Sequence, residues 1–429
     1  MNRGKGKIVT IIDDMPGSGK TTYSFNKLFK HTERSYFFCT PYLAEVVRAE
    51  TESGFKRAIG SIKEENEIPN NAPINLRGNF NIPKTLQLEN FIAKMDSIST
   101  THESLKRLSL DVDLSNYELV LDEVTDLISR YNLSSKTYEL FKKHKYITVD
   151  EKTKLIRLTE DGKEYFLKRG ADNKYCSDRD FGLNVDKGLL YEQLDDGERC
   201  ILISELPIEI FSRFKSITIM TWLFESSNLY GLLTAYGYEF EKFQLEDGEL
   251  VEWKMERLVE RLKKAGKLIN LYEEKGKVKY ITKIEESKYN FSASAKNKVS
   301  IQTQMGNIIR GYARNYSNGQ NDFIYCVYKS NDSVNVKGFD GSSLAHNIRA
   351  TNNYDKVSTV FYGVKRSFDP QILRYLNDKT DKHIELNLDY LRLSECLQFV
   401  FRSRIRKGEP INLFIADRLT RNLIKKYLY

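Results

Sequence analysis

The sequence predicts an α/β chain of two lobes, each a parallel sheet flanked by helices, with a small subdomain inserted in the first. Three observations carry that expectation. A β-branched run, Ile8-Val9-Thr10-Ile11-Ile12, leads through a glycine-rich turn into the helix-like spacing of Tyr23 to Lys30. A second apolar run, Tyr117 to Leu121, ends in the acid pair Asp122-Glu123. Strand and helix patterns alternate again through the second half, without a second glycine-rich turn. The expected division is residues 1–225 and 226–429, with the insert at about 133–206.

At 429 residues the chain exceeds one ordinary core, and 40% hydrophobic with 29% charged residues describes a globular protein. No apolar run approaches the ~20 residues of a membrane span, and Met1 to Lys7 lacks a signal-peptide core. A cytoplasmic protein without membrane contact is expected. Five scattered cysteines with no C-x-x-C pair indicate neither zinc nor a disulfide framework. The net charge of +8 is unevenly spread, for Arg402 to Tyr429 holds eight Lys or Arg against two acids. Such an end suits a polyanionic partner.

The turn Asp13-Asp14-Met15-Pro16-Gly17-Ser18-Gly19-Lys20-Thr21-Thr22 fits the phosphate-loop pattern G-x-x-x-x-G-K-[ST], except that Asp14 stands at the first glycine. Gly17 and Gly19 let backbone N–H groups converge on one concavity. Pro16 to Thr22 are thus expected to hold a nucleotide, Lys20 reaching its β- and γ-phosphates and the Thr21 hydroxyl holding Mg2+. Ser35 to Thr40 reads as a second buried strand ending at Pro41, with a helix from Leu43. Glu50 to Pro83 is a polar excursion, and periodicity returns at Leu86 to Met95, leading to Thr100-Thr101-His102.

Asp122 and Glu123 close a buried strand, and ligands of open α/β sheets gather at the carboxyl ends of strands. Asp122 is expected to hold Mg2+ and Glu123 to orient and deprotonate the attacking water. Within the insert, Leu140 to Thr159 looks like a helix and hairpin of winged-helix type. Ile217 to Phe224 restores a buried strand, at whose end Thr221 reads equally as a coupler of the nucleotide site to movement and as a strand threonine of ordinary β propensity.

In the second half, Met255, Leu258, Val259 and Leu262 give a helix that Gly266 ends. Strands recur at Leu268 to Tyr272, Phe323 to Tyr328, Val357 to Tyr362 and Ile411 to Ile415, with a helix at Ile301 to Tyr316. On a helix from Leu397 to Arg406, Gln398, Arg402 and Arg406 would share a face, with Arg404 pointing elsewhere. A guanidinium offered by a second lobe can clamp a γ-phosphate as charge develops on it.

The ordered set Gly17-Ser18-Gly19-Lys20-Thr21, Thr40-Pro41, Thr100-Thr101-His102, Asp122-Glu123-Val124-Thr125, Thr218 to Thr221 and Gln398-x-x-x-Arg402-x-x-x-Arg406 resembles the motor core of helicase superfamilies 1 and 2. It looks most like the DEAD-like superfamily 2 helicases of tailed bacteriophages, which also carry a segment like Arg349-Ala350-Thr351-Asn352. The resemblance covers nearly the whole chain outside the insert. It implies two RecA-like P-loop lobes, with ATP and Mg2+ between them and single-stranded nucleic acid across their top. It further implies arginine fingers at Arg402 and Arg406, and contact of Gln398 with the γ-phosphate or the water. Thr40, Thr101, His102, Thr221, Arg349, Thr351 and Asn352 would lie near the nucleic acid or the lobe junction.

The leading expectation is an ATP-dependent helicase or translocase, probing single-stranded or forked DNA, with RNA a further candidate, and working beside replication proteins. Oligomeric state is left open. A genome-packaging ATPase also varies the first loop residue, but Asp340, Asp355, Asp369 and Asp381 are too scattered for its nuclease lobe. A nucleotide-gated switch would have little need of Glu123, and a small-molecule kinase little need of the distant arginines.

Overall fold

Strands covered by helices on both faces carry apolar residues at successive positions, which is how the first lobe's strands read. In the computed structural model, which describes residues 6–58, 84–168, 177–194, 200–272, 295–327, 336–339, 342–345, 353–380 and 384–429, the chain begins with β1 (Ile8–Asp13) and α1 (Lys20–Asn26). There follow β2 (Ser35–Thr40), α2 (Leu43–Ser53), β3 (Lys56–Arg57), α3 (Lys84–Ala93), β4 (Ile98–Thr101), α4 (His102–Lys106) and β5 (Tyr117–Asp122). The insert supplies β6 (Ile128–Tyr131), α5 (Ser135–Lys143), β7 (Ile147–Val149), β8 (Ile156–Leu158), α6 (Ser177–Asp186), β9 (Leu190–Leu194) and β10 (Cys200–Glu205). Then come β11 (Ser216–Thr221), α7 (Asn228–Ala235), β12 (Glu239–Glu246), β13 (Glu249–Glu252) and α8 (Met255–Gly266).

Among the described residues the first sheet has eight strands, ordered β13-β12-β1-β11-β5-β2-β4-β3. Its neighbours run parallel except for the β12–β13 hairpin. Period-two alternation sorts its side chains. Ile11, Phe37, Leu119 and Ile219 enter one core with Leu88 of α3 and Leu232 of α7. The next residues along, Ile12, Phe38, Val120 and Met220, face the opposite core with Phe25 and Phe29.

The expected boundary at 225/226 falls inside this sheet. β12 pairs in parallel with β1, from Ile8 opposite Glu239 to Ile12 opposite Phe243, so the first lobe reaches at least Glu252. The insert has its own core, where Tyr138 and Phe141 of α5 meet Ile147, Ile156, Phe166 and Phe181. Its helix and hairpin are α5 and β7–β8, and it rests on an antiparallel sheet β6-β10-β9 that opens at Ile128, ahead of the expected edge.

The second lobe is a parallel sheet ordered β14-β17-β16-β15, from β14 (Ile269–Leu271), β15 (Phe323–Cys326), β16 (Thr359–Tyr362) and β17 (Ile411–Ile415). Helix α9 (Ala295–Tyr316) covers one face, where Met305, Ile309 and Tyr312 meet Phe361 and Phe414. α8 covers the other with α11 (Leu388–Val400) and α12 (Arg418–Leu428). Gly266 does end α8, and it also fits a close crossing: a Cβ there would lie 2.2 Å from the Leu428 carbonyl oxygen.

One helix of the second half crosses back. Ile372, Tyr375 and Leu376 of α10 (Pro370–Asp378) pack in the first lobe's core. Just beyond it the Lys379 ammonium donates to the buried Glu205 carboxylate at 2.6 and 2.7 Å, and the Tyr236 hydroxyl donates to the same group at 2.6 Å. The Tyr191 and Tyr375 rings flank that ammonium at 4.4 and 4.8 Å. Removing one partner of a buried pair strands the other charge, at a cost of roughly 3–5 kcal/mol. Lys379→Ala should therefore lower the urea midpoint sharply, and the double variant Glu205→Gln/Lys379→Met should recover most of the loss.

Candidate active site

Strand register brings the expected residues together. Asp13 lies opposite Thr221, Met220 opposite Asp122, and Thr40 opposite Thr101, so the carboxyl ends of β1, β11, β5, β2 and β4 form one edge. Thr40, Thr221 and His102 are buried there, and Thr101 caps α4 by accepting from the Ser104 N–H. The loop from Asp14 to Gly19 sits on this edge, and Lys20, Thr21 and Thr22 open α1. Gly17 (φ 83°) and Gly19 (φ 91°) hold left-handed backbone, which explains glycine at both positions.

Asp14 is where the loop departs from its pattern, and it is 2% exposed. Its backbone is not left-handed, so a side chain is accommodated without strain. The carboxylate accepts from the Met15 N–H at 2.7 Å and the Leu245 N–H at 3.0 Å. Arg261 of α8 donates to both its oxygens at 2.7 Å. Asp13 is anchored in a similar way, accepting from the Leu223 and Phe224 N–H groups, with Lys242 of β12 at 3.3 Å. Sequence reasoning missed Arg261 and Lys242. The one available signal was a charge at the edge of the apolar face formed by Leu258, Leu262 and Ala265.

The Thr21 hydroxyl faces the Asp122 carboxylate at 3.3 Å. A hydroxyl beside one carboxylate is the hard-oxygen donor set with which Mg2+ is held when phosphates complete its shell. The Ser18 hydroxyl oxygen is buried with no partner among the described residues, as a loop shaped around phosphate oxygens would leave it. Both observations fit a magnesium nucleotide. The Lys20 ammonium donates to the carbonyls of Asp14 and Met15 at 2.5 and 3.0 Å. Burial pulls its pKa down, opposed by Glu123, Asp14, Asp13 and Asp122. Burial pushes Asp122 up to about 7, helped by the neighbouring Glu123 charge and opposed by Lys20. Glu123 holds left-handed backbone at φ 69°, an uncommon state for a residue with a side chain.

The second-lobe residues do not share a helix face as expected. α11 ends at Val400, whose carbonyl accepts from the Ser403 hydroxyl at 2.7 Å, and Arg404–Lys407 form a separate 3-10 turn closed by Gly408 (φ 77°). The Arg404 N–H is drawn to the Val357 carbonyl at 3.1 Å, so tertiary bonds override the helical spacing. Gln398 instead lines a cavity of about 680 Å³ between the lobes, with Thr101, His102, Thr221 and Arg366. Arg402 lies in the intervening turn with its Nε buried. Arg406 reaches the phosphate loop: a Cβ placed on Gly17 would lie 3.7 Å from its Cγ and Nε. Arg349, Thr351 and Asn352 lie outside the described residues, as do Asp340 and Asp381. Asp355 pairs with Lys407 and Asp369 caps α10, so both have structural partners.

A carboxyl whose folded pKa exceeds its unfolded value of 3.8 adds stability at low pH and loses it as pH rises through the folded pKa, here about 7. Without metal, Asp122→Asn should melt above the parent at pH 8, and that advantage should shrink toward pH 5. Equal melting temperatures in EDTA across that range would show that Asp122 is not under this strain.

The family model of the YonV C-terminal Rossmann-like domain matches residues 263–428. Over 98% of both chains the protein is 26% identical to the SPbeta prophage-derived uncharacterized protein YonV of Bacillus subtilis strain 168. A solved XPD helicase superposes with a TM-score of 0.53 at 13% identity, covering 97% of this chain and 94% of that one. No helix among the described residues is long and apolar enough to cross a membrane. The chain thus has an α/β fold of two lobes like that of the XPD helicase, and its similarity extends over the full length of a prophage protein.

Proposed function

We propose that the protein is an ATP-driven helicase-type motor, phage-encoded in origin, that hydrolyses ATP between its two lobes and moves along single-stranded or forked DNA. The observation that carries this reading is Arg406, an arginine of the second lobe, standing over Gly17 of the first lobe's phosphate loop. A loop alone binds a nucleotide; a cation from a separate body makes hydrolysis sensitive to the gap between bodies.

In this reading ATP supplies the reactive phosphoryl group and Mg2+ offsets its charge. Lys20 and the loop N–H groups bind the phosphates, and Thr21 with Asp122 holds the metal. Glu123 takes the proton from the attacking water, Arg406 and Arg402 orient and stabilise the transferred group, and Gln398 stands in the adjoining cleft. Thr101, His102 and Thr221 line the adjoining cleft, with Thr40 opposite Thr101 at its strand end, where strand contact would be relayed to the nucleotide edge. The basic helix α12 is suited to phosphate backbone, so affinity for DNA should fall steeply with salt.

ATP turnover measured with and without single-stranded DNA tests the motor directly: stimulation at low salt is expected, and a rate indifferent to nucleic acid at every salt would sink it. Arg406→Ala should lower kcat by about 10³ or more while nucleotide still binds, as removal of an arginine finger does. Glu123→Gln should bind ATP and hardly turn it over, and near-normal turnover would mean the base lies elsewhere.

A further inference from the structure

Asp14 and Arg261 do more than fill space beneath the loop. The carbonyls of Asp14 and Met15 are the two groups that hold the Lys20 ammonium, so whatever fixes this dipeptide fixes the lysine. The Asp14 carboxylate is fixed by three donors: the Met15 N–H, the Leu245 N–H and the Arg261 guanidinium. Arg261 also donates to the Leu245 carbonyl, joining β12, α8 and the loop in one knot. The Met15 side chain is buried in the second lobe's core with Trp222, Leu223, Leu258 and Leu262. Two consecutive loop residues are therefore tied to the second lobe, one by charge and one by packing. A glycine at position 14 could make only the backbone contacts.

We propose that Arg261, acting through Asp14, is a positioning residue of the nucleotide site: it holds the leading edge of the phosphate loop to α8 so that Lys20 stands where the phosphates of a nucleoside triphosphate bind. The inference rests on the nucleotide-site reading above and adds to it a residue 241 positions beyond Lys20 in the chain. Arg261 does not touch the phosphates; it sets the backbone that does. Removing Arg261 alone leaves a buried carboxylate without its cation beside the loop, which is worse than removing both partners. Replacing both recreates the glycine that the loop pattern has at this position.

Binding of a fluorescent N-methylanthraniloyl ATP with Mg2+ to the full chain, read beside thermal melting and steady-state turnover, tests this. Arg261→Leu should weaken binding about tenfold or more, the loss expected for a charge-assisted bond, with KM for ATP rising more than kcat falls. Asp14→Gly/Arg261→Leu should return to within about threefold of the parent, because neither charge is then stranded. Arg261→Lys keeps the charge on Asp14 but cannot also reach the Leu245 carbonyl; it should fall between, and it carries the comparison if the leucine variant does not fold. A lowered melting temperature with unchanged nucleotide affinity in the folded variants would reduce the pair to a structural tie and overturn the inference alone. A parent protein that bound no nucleotide would overturn the functional reading as well.

Discussion

Four carboxylates crowd the carboxyl end of the first sheet, and the rest of the structure depends on how each is compensated. Asp13 and Asp14 stand on one strand end and Asp122 and Glu123 on another, two strands away. Buried charges need partners, and the first pair draws them from far along the chain: Lys242 on β12 and Arg261 on α8. Lys242 is itself seated on the Trp253 ring at 3.7 Å. The need to neutralise Asp13 and Asp14 thus goes with adding β12 beside β1, and with docking the second lobe's first helix against the phosphate loop.

The second pair sits differently. Asp122 meets one hydroxyl and a share of the Lys20 charge, and its pKa rises to about 7; Glu123 sits in left-handed backbone. Left-handed backbone at a residue with a side chain persists where surrounding structure over-determines it, and here that structure is the buried parallel strands and the Glu123 N–H bond to the Met220 carbonyl at 2.8 Å. Two strands of one sheet, with β11 between them, therefore carry carboxylates of two kinds. Those after β1 are tied to Lys242 and Arg261, and after β5 the Asp122 carboxylate stands beside the Thr21 hydroxyl.

Much of this was legible in the sequence, for a physical reason. Strands buried on both faces write themselves as continuous apolar runs, so β1, β2, β5, β11 and β17 could be read directly, and left-handed Gly17 and Gly19 marked the loop between strand and helix. Parallel pairing then made the site predictable, since every carboxyl end meets one edge. What escaped was tertiary. β12 carries Glu239, Glu241 and Lys242 and reads as an acid-rich surface stretch, so its pairing with β1, and with it the lobe boundary, was hidden. The i, i+4 spacing of Gln398, Arg402 and Arg406 suggested a helix face, yet the Ser403 bond to Val400 and the Arg404 bond to Val357 break that helix. Sequence spacing thus brought Arg406 forward through a helix face that it does not occupy.

That broken helix matters for how the second lobe meets the loop. On a continuous helix Arg406 would move with α11; on its turn it is fixed to the segment leading into β16, through the Arg404 N–H on Val357 and the Lys407 ammonium on Asp355 at 2.7 Å. Arg261 approaches the same loop from α8, on the far side of that lobe's helical layer from the turn. The loop is therefore approached by one body from two places: Arg261 donates to the Asp14 carboxylate, and the Arg406 side chain lies over Gly17. A Cβ at Gly17 would meet Arg406 only at ordinary contact distance, so it is the left-handed backbone of the turn that calls for glycine there. The contacts of Arg261, Met15 and Arg406 thus make the geometry of the loop a property of both lobes.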